Sequence, residues 1–174
     1  MQRLVVVGTS GSGKTTVAGQ LALILGVRHI ELDSLHWEPD WTEADPKTLR
    51  QRVQAAVGTT GWVVDGNYSA VRDLIWPNAN TLVWLDYRLT RVMWQVTTRT
   101  ARRVATREEL WSGNRERLGA AFSRDSIIWW ALTTYRKNQR RYAALVDAPD
   151  TSHMDLVHLR SPRETYRWLS QLSP

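Results

Sequence analysis

The 174-residue chain contains no cysteine, which excludes disulfides, thiolate metal sites and cysteine nucleophiles. It has one phenylalanine and three lysines, against ten tryptophans and twenty arginines. Long apolar runs are also missing. Leu4–Val7 and Leu21–Leu25 fall far short of the roughly 20 residues that span a bilayer. The N-terminal Met1-Gln2-Arg3 runs straight into Leu4–Val7, without the charged, apolar and small-residue order of a cleaved signal. The expectation is a cytoplasmic protein with no membrane association. Hydrophobic residues at 43% and charged residues at 23% are ordinary for a globular protein. The length suits one domain over residues 1–174.

The formal charge is +6 and is carried by arginine, the residue suited to bidentate binding of phosphate or carboxylate. It is unevenly spread. Residues 88–141 hold thirteen Arg or Lys against four Asp or Glu.

Short apolar segments alternate with helical ones. Strands are expected at Leu4–Val7, Val27–Leu32, Trp62–Val64, Thr81–Leu85 and Met154–Leu159. Helices are expected at Thr15–Leu25, Lys47–Val57, from Thr90 to about Thr106, at Arg124–Val146 and from Pro162 through Ser170. Trp37–Pro46 reads as a loop. This alternation implies an α/β fold of three layers, a parallel sheet with helices on both faces. Ligands of such sheets sit at the carboxyl ends of the strands. Those ends carry the loop from Gly8, then Asp33, Asp65 and Asp86.

Gly8-Thr9-Ser10-Gly11-Ser12-Gly13-Lys14-Thr15 satisfies GxxxxGK[ST] in full, after a strand and before a helix. Its glycines let successive N–H groups point inward at phosphate, and the following helix adds its positive end. ATP is therefore the expected ligand, held by Gly8, Ser10, Gly11, Ser12, Gly13, Lys14, Thr15 and Thr16. Lys14 reaches the β- and γ-phosphates, and the Thr15 hydroxyl ligates Mg²⁺. Asp33, after the second strand, can accept or orient a proton of an acceptor hydroxyl. Asp65, ending Trp62-Val63-Val64, has the form of the carboxylate that holds Mg²⁺ in such proteins. Asp86 competes for that role.

Gly8–Thr16, Ile30–Trp37, Trp62–Tyr68 and Leu85–Tyr87 together resemble adenylate-kinase-like P-loop proteins. The likeness is greatest to a bacterial group labelled DNA topology modulation proteins, to which Arg107–Glu116 is also similar. The resemblance implies a P-loop NTPase fold with a five-stranded parallel sheet in the order 2-3-1-4-5. It also implies an acceptor-side insert at about 34–57 and a helical, Arg-rich lid at about 97–123. Arg99, Arg102 and Arg103 fall in that lid and are expected at the phosphates. By the same resemblance Arg160-Ser161-Pro162 lies at the adenine, with Ser161 contacting the nucleotide. In adenylate kinases the Asp-Gly strand end continues Phe-Pro-Arg, and that Arg holds an acceptor phosphate. Here Asp65-Gly66 continues Asn67-Tyr68-Ser69, and the next arginine is Arg72. Asp33 with His36 is similar to the acceptor side of shikimate and gluconate kinases, which phosphorylate a hydroxyl. The acceptor is thus expected at Asp33, His36, Trp37, Gly66, Asn67 and Arg72.

These readings point to a kinase that transfers the γ-phosphate of Mg·ATP to an unidentified small molecule, a nucleotide, nucleoside or other hydroxyl compound, as monomer or homodimer. Arg99 and Arg103, four apart on one helical face, join Lys14 and Asp33 as its catalytic candidates. The alternative is a nucleic-acid-linked or regulatory P-loop ATPase, supported by the basic half of the chain and a second cluster at Arg136, Lys137, Arg140 and Arg141.

Overall fold

The computed structural model describes residues 2–58, 60–115, 126–146, 148 and 151–172. Five parallel strands, β1 (Arg3–Gly8), β2 (Arg28–Glu31), β3 (Trp62–Asp65), β4 (Thr81–Leu85) and β5 (Asp155–Leu159), form one sheet. Their order is β2-β3-β1-β4-β5, the order implied by the resemblance to adenylate-kinase-like proteins.

The apolar runs are buried on both sides because side chains alternate across the sheet. Val5, Val7, Ile30 and Val64 face one core with Leu49 and Val53 of α3 (Pro46–Val57). Leu4, Val6, Val63 and Val83 face the other, with Val17 and Leu21 of α1 (Lys14–Leu25). Leu169 of the last helix, Pro162–Leu172, joins that second core. Trp62 and Trp84 are buried, as their places in strands suggest.

The structure corrects several boundaries. β2 stops at Glu31, one residue earlier than expected, because its pairing with β3 ends at Glu31–Asp65. The chain then coils into α2 (Leu32–His36), so Asp33 stands on a helical turn rather than at a strand end. The expected loop at Trp37–Pro46 contains a two-stranded ribbon that pairs Trp37 with Glu43 and Glu38 with Thr42. The helix expected from Thr90 begins one residue earlier, at Leu89; Arg88 holds the cap position, and the helix runs to Thr106 as α5. Between α3 and α5 lies the short α4 (Arg72–Ile75). The next long helix, α6, spans Ile127–Val146. Residues 116–123 of the expected lid lie outside the described residues. No described helix is long and apolar enough to cross a membrane.

Candidate active site

The loop from Gly8 closes tightly on itself. The Ser12 amide donates to the Thr9 carbonyl at 3.0 Å. Gly11 and Gly13 have φ of 86° and 90°, values that favour glycine. Gly13 caps α1 in the left-handed conformation, and no side chain caps that helix. The N–H groups of its first turn therefore lack an internal acceptor, the condition that makes a helix start an anion site. Ser12 is fully buried and its hydroxyl has no hydrogen-bond partner. A Cβ added at Gly8 would lie 2.7 Å from that hydroxyl, so the Ser12 side chain packs against the first residue of the loop.

Lys14 donates to the Thr9 carbonyl at 3.2 Å, folded back along the loop. Burial lowers its pKa, while Asp33, Asp65 and Glu31 oppose that shift. One ammonium thus stands among three carboxylates. Arg99, on α5, lies close enough to act on Lys14 as a like charge.

The Thr15 hydroxyl is the centre of an oxygen cluster. It lies 2.8 Å from Asp65 Oδ2 and 3.2 Å from Glu31 Oε1. The other oxygen of Asp65 is 2.8 Å from His29 Nε2, and Asp65 itself is 3% exposed. The hydrogen bond to Asp65 raises the His29 pKa despite partial burial. The other oxygen of Glu31 accepts from the Trp111 indole at 2.9 Å. Burial raises the Glu31 pKa, and the hydrogen bond from Trp111 acts against it. Asp86 is engaged elsewhere, by His158 at 3.0 Å and Gln139 at 3.0 Å.

Asp33 accepts a 2.7 Å hydrogen bond from the Tyr68 hydroxyl. Burial, with Asp33 beside it, pushes the Tyr68 pKa far above its ordinary value. Asn67 donates to the Gly8 carbonyl at 2.7 Å and so joins the end of β3 to the P-loop. Gly66, at φ 136°, packs so closely on α2 that a Cβ there would meet Leu32 Cβ at 2.8 Å. Arg72 lies over the Trp76 ring, 4.8 Å from its centroid, and lines a small cavity with Asn67, Tyr68 and Tyr142.

Of the predicted lid arginines, Arg102 and Arg103 both reach Glu108, at 3.3 and 3.5 Å, and Arg102 is largely exposed. Thr16 is exposed at the start of α1. Ser161 lines an open groove of about 640 Å³ with Asp86, Arg88, Arg91, Tyr135 and Arg160. Its hydroxyl also accepts from the Glu164 amide at 3.2 Å, capping the last helix.

Glu31, His29, Tyr68 and Trp111 were not among the residues singled out from the sequence. Glu31 has a weak signal, since it lies at the end of a predicted strand, as Asp65 does. Trp111 has none, because its place beside Glu31 depends on a contact spanning 80 residues.

No protein-family model matches the chain, and no curated protein is significantly similar to it. Among solved structures, a gluconokinase from Sinorhizobium meliloti 1021 is similar over 99% of this chain and 93% of its own, at 20% identity and a TM-score of 0.54. The fold is that of a P-loop kinase. The likeness covers the sheet and the helices around it and reaches no further than the fold.

Proposed function

We propose that the chain is an ATP-dependent phosphotransferase acting on the hydroxyl of a small molecule. The observation that carries this reading is the meeting of Thr15, Asp65 and Glu31 at the mouth of an uncapped P-loop, with Asp33 at the next turn. Among the described residues no group of three or more His, Cys, Asp or Glu could hold a metal alone. A hydroxyl and carboxylates are hard oxygen donors, and they suit Mg²⁺ that keeps its waters and arrives with the phosphates. Thr15 and Asp65 would hold the metal there, and it would supply positive charge to the triphosphate.

The chain's own residues supply the rest. The P-loop amides and Lys14 hold the triphosphate, and Arg99 adds positive charge beside Lys14. Thr15 and Asp65 orient the metal side. In the transfer, the acceptor oxygen bonds to the γ-phosphorus as the bond to the β,γ-bridging oxygen breaks. ADP leaves with that electron pair, and the acceptor proton passes to Asp33. The groove at Ser161 takes the nucleoside end. The acceptor lies beside Asp33, His36 and Trp37, within the insert at about 34–57.

Lys14→Ala is expected to abolish transfer, and Asp33→Asn to spare ATP binding while lowering the transfer rate by roughly 100-fold or more. ADP release with a panel of hydroxyl acceptors, together with calorimetric ATP binding, tests both. Full transfer by Asp33→Asn would remove Asp33 from the mechanism.

A further inference from the structure

The wall beside Asp33 is built of a continuous row of rings. Tyr68 and His36 have ring centroids 4.6 Å apart, and His36 and Trp37 4.8 Å. Trp37 and Trp41 follow at 5.6 Å, and Trp41 and Trp111 at 6.3 Å. The row starts at one carboxylate and ends at another. Tyr68 donates to Asp33, and Trp111 donates to Glu31, whose other oxygen faces Thr15. Its far side is held by the segment after α5. Asn114 donates to the Glu38 carbonyl at 2.8 Å and accepts from the Trp41 amide at 2.9 Å, and Ser112 donates to the Trp37 carbonyl at 2.7 Å. The rings are not sealed in the core, since Trp37 and Trp111 are half-buried and Trp41 is 38% exposed.

Carboxylates line both ends of this wall; the cations at that end of the site, Lys14 and Arg99, stand on the P-loop side of Asp33 and Glu31, on α1 and α5. The hydrogen bonds described on Glu31 and Asp33 come from Thr15, Trp111 and Tyr68, all neutral donors. A third carboxylate, Glu43, lies 3.9 Å from His36 Nε2 within the same row. Nearby arginines are matched to other acids: Arg52 to Glu38, Arg102 to Glu108 and Arg115 to Glu109. Aromatic faces attract cations through the ring quadrupole, and carboxylates at hydrogen-bond range add a direct attraction. Away from Lys14, the same rings and carboxylates disfavour an anionic acceptor.

We propose that the acceptor is a small hydroxyl compound bearing an ammonium group, which rests in this aromatic and acidic wall with its hydroxyl toward Asp33. The inference depends on the phosphotransferase reading above and names its substrate class. In the transfer the ammonium stays protonated; only the hydroxyl loses its proton, to Asp33, as the new oxygen–phosphorus bond forms.

Two matched sets of acceptors test it with the whole chain and Mg·ATP at pH 7. One set is ethanolamine, ethylene glycol and glycolate; the other is glucosamine, N-acetylglucosamine and gluconate. In at least one set the ammonium member is expected to show a kcat/KM at least roughly tenfold above the neutral one, with the acid lowest. Equal or better transfer to a neutral or anionic member overturns the inference and leaves the phosphotransferase reading standing. Acceptor-independent hydrolysis of ATP, with no transfer to any member, overturns both. Trp37→Leu is expected to raise KM for the ammonium acceptor by roughly tenfold, with KM for ATP unchanged. Glu43→Gln, a change at an exposed side chain, is expected to narrow the preference by about threefold. An unchanged preference in both variants counts against the wall as the source of selectivity.

Discussion

Asp65 shows how much one buried carboxylate can organise. It spends one oxygen on the Thr15 hydroxyl and the other on His29, and it is almost wholly removed from solvent. A carboxylate so buried needs both partners, and the one behind it fixes its direction. His29→Ala removes the orienting bond without touching any group assigned to ATP. The Mg²⁺ concentration at half-maximal activity is expected to rise by roughly tenfold, the scale of lost partners behind metal ligands. Binding of ATP without Mg²⁺ is expected to stay as it was. Activity titrated with Mg²⁺ and calorimetry with and without the metal separate these outcomes. An unchanged Mg²⁺ requirement would show that Asp65 does not depend on His29.

Two elements pack around the site more closely than strand–loop–helix logic implies. α5 crosses over Gly11, so that an added Cβ would meet Val96 Cβ at 2.8 Å and the Val92 carbonyl at 3.2 Å. Gly11→Ala would combine that clash with a left-handed backbone, and a loss of about 1–3 kcal/mol is expected. Urea unfolding reads it, and wild-type stability in the variant would contradict the packing. The segment after α5 is the second case. Asn114 is 5% exposed and serves the Trp41 amide and the Glu38 carbonyl at once. Asn114→Ala strands both groups, at about 1–3 kcal/mol for each one left buried. Residues 107–115 are then expected to be cut by protease much faster than in the parent chain, with little change in global unfolding. If cleavage there proceeds at the parent rate, Asn114 is not what holds the segment.

At the scale of the whole molecule, charge and burial set the response to pH. Burial raises the pKa of Tyr68, Tyr87 and Tyr142 in the folded chain. Above the ordinary tyrosine pKa of about 10 the unfolded chain loses these protons while the folded chain keeps them. The folded state then binds more protons, so stability falls as pH rises. Their contribution is complete below about pH 10 and is lost progressively above it. A thermal midpoint that drops from pH 9 to 11, with tyrosinate absorbance from these residues appearing only on unfolding, is the expected result. Free titration of all five tyrosines in the folded chain would contradict it. The net charge of +6 is also less available than its size suggests near the site, because Arg52, Arg102 and Arg115 face acids close by. The exposed basic residues of α6, Arg136, Lys137 and Arg140, remain a separate surface.

Local rules were enough for the sheet and the P-loop. Strands such as Leu4–Val7 and Trp62–Val64 are apolar on both faces, which only a covered parallel sheet satisfies. The strand order came instead from the resemblance. The shape of the loop was legible because its glycines and the start of α1 follow from residues adjacent in sequence. That Asp65 ends a strand was also legible, but its place beside that loop follows from the strand order. What tertiary structure decided is the company these residues keep. Glu31 enters the cluster because β2 ends level with β3, and parallel register places Glu31 opposite Asp65. His29 reaches the same carboxylate across 36 residues, and Trp111 reaches Glu31 across 80. Such contacts arise from packing between distant segments, and no spacing in the chain encodes them.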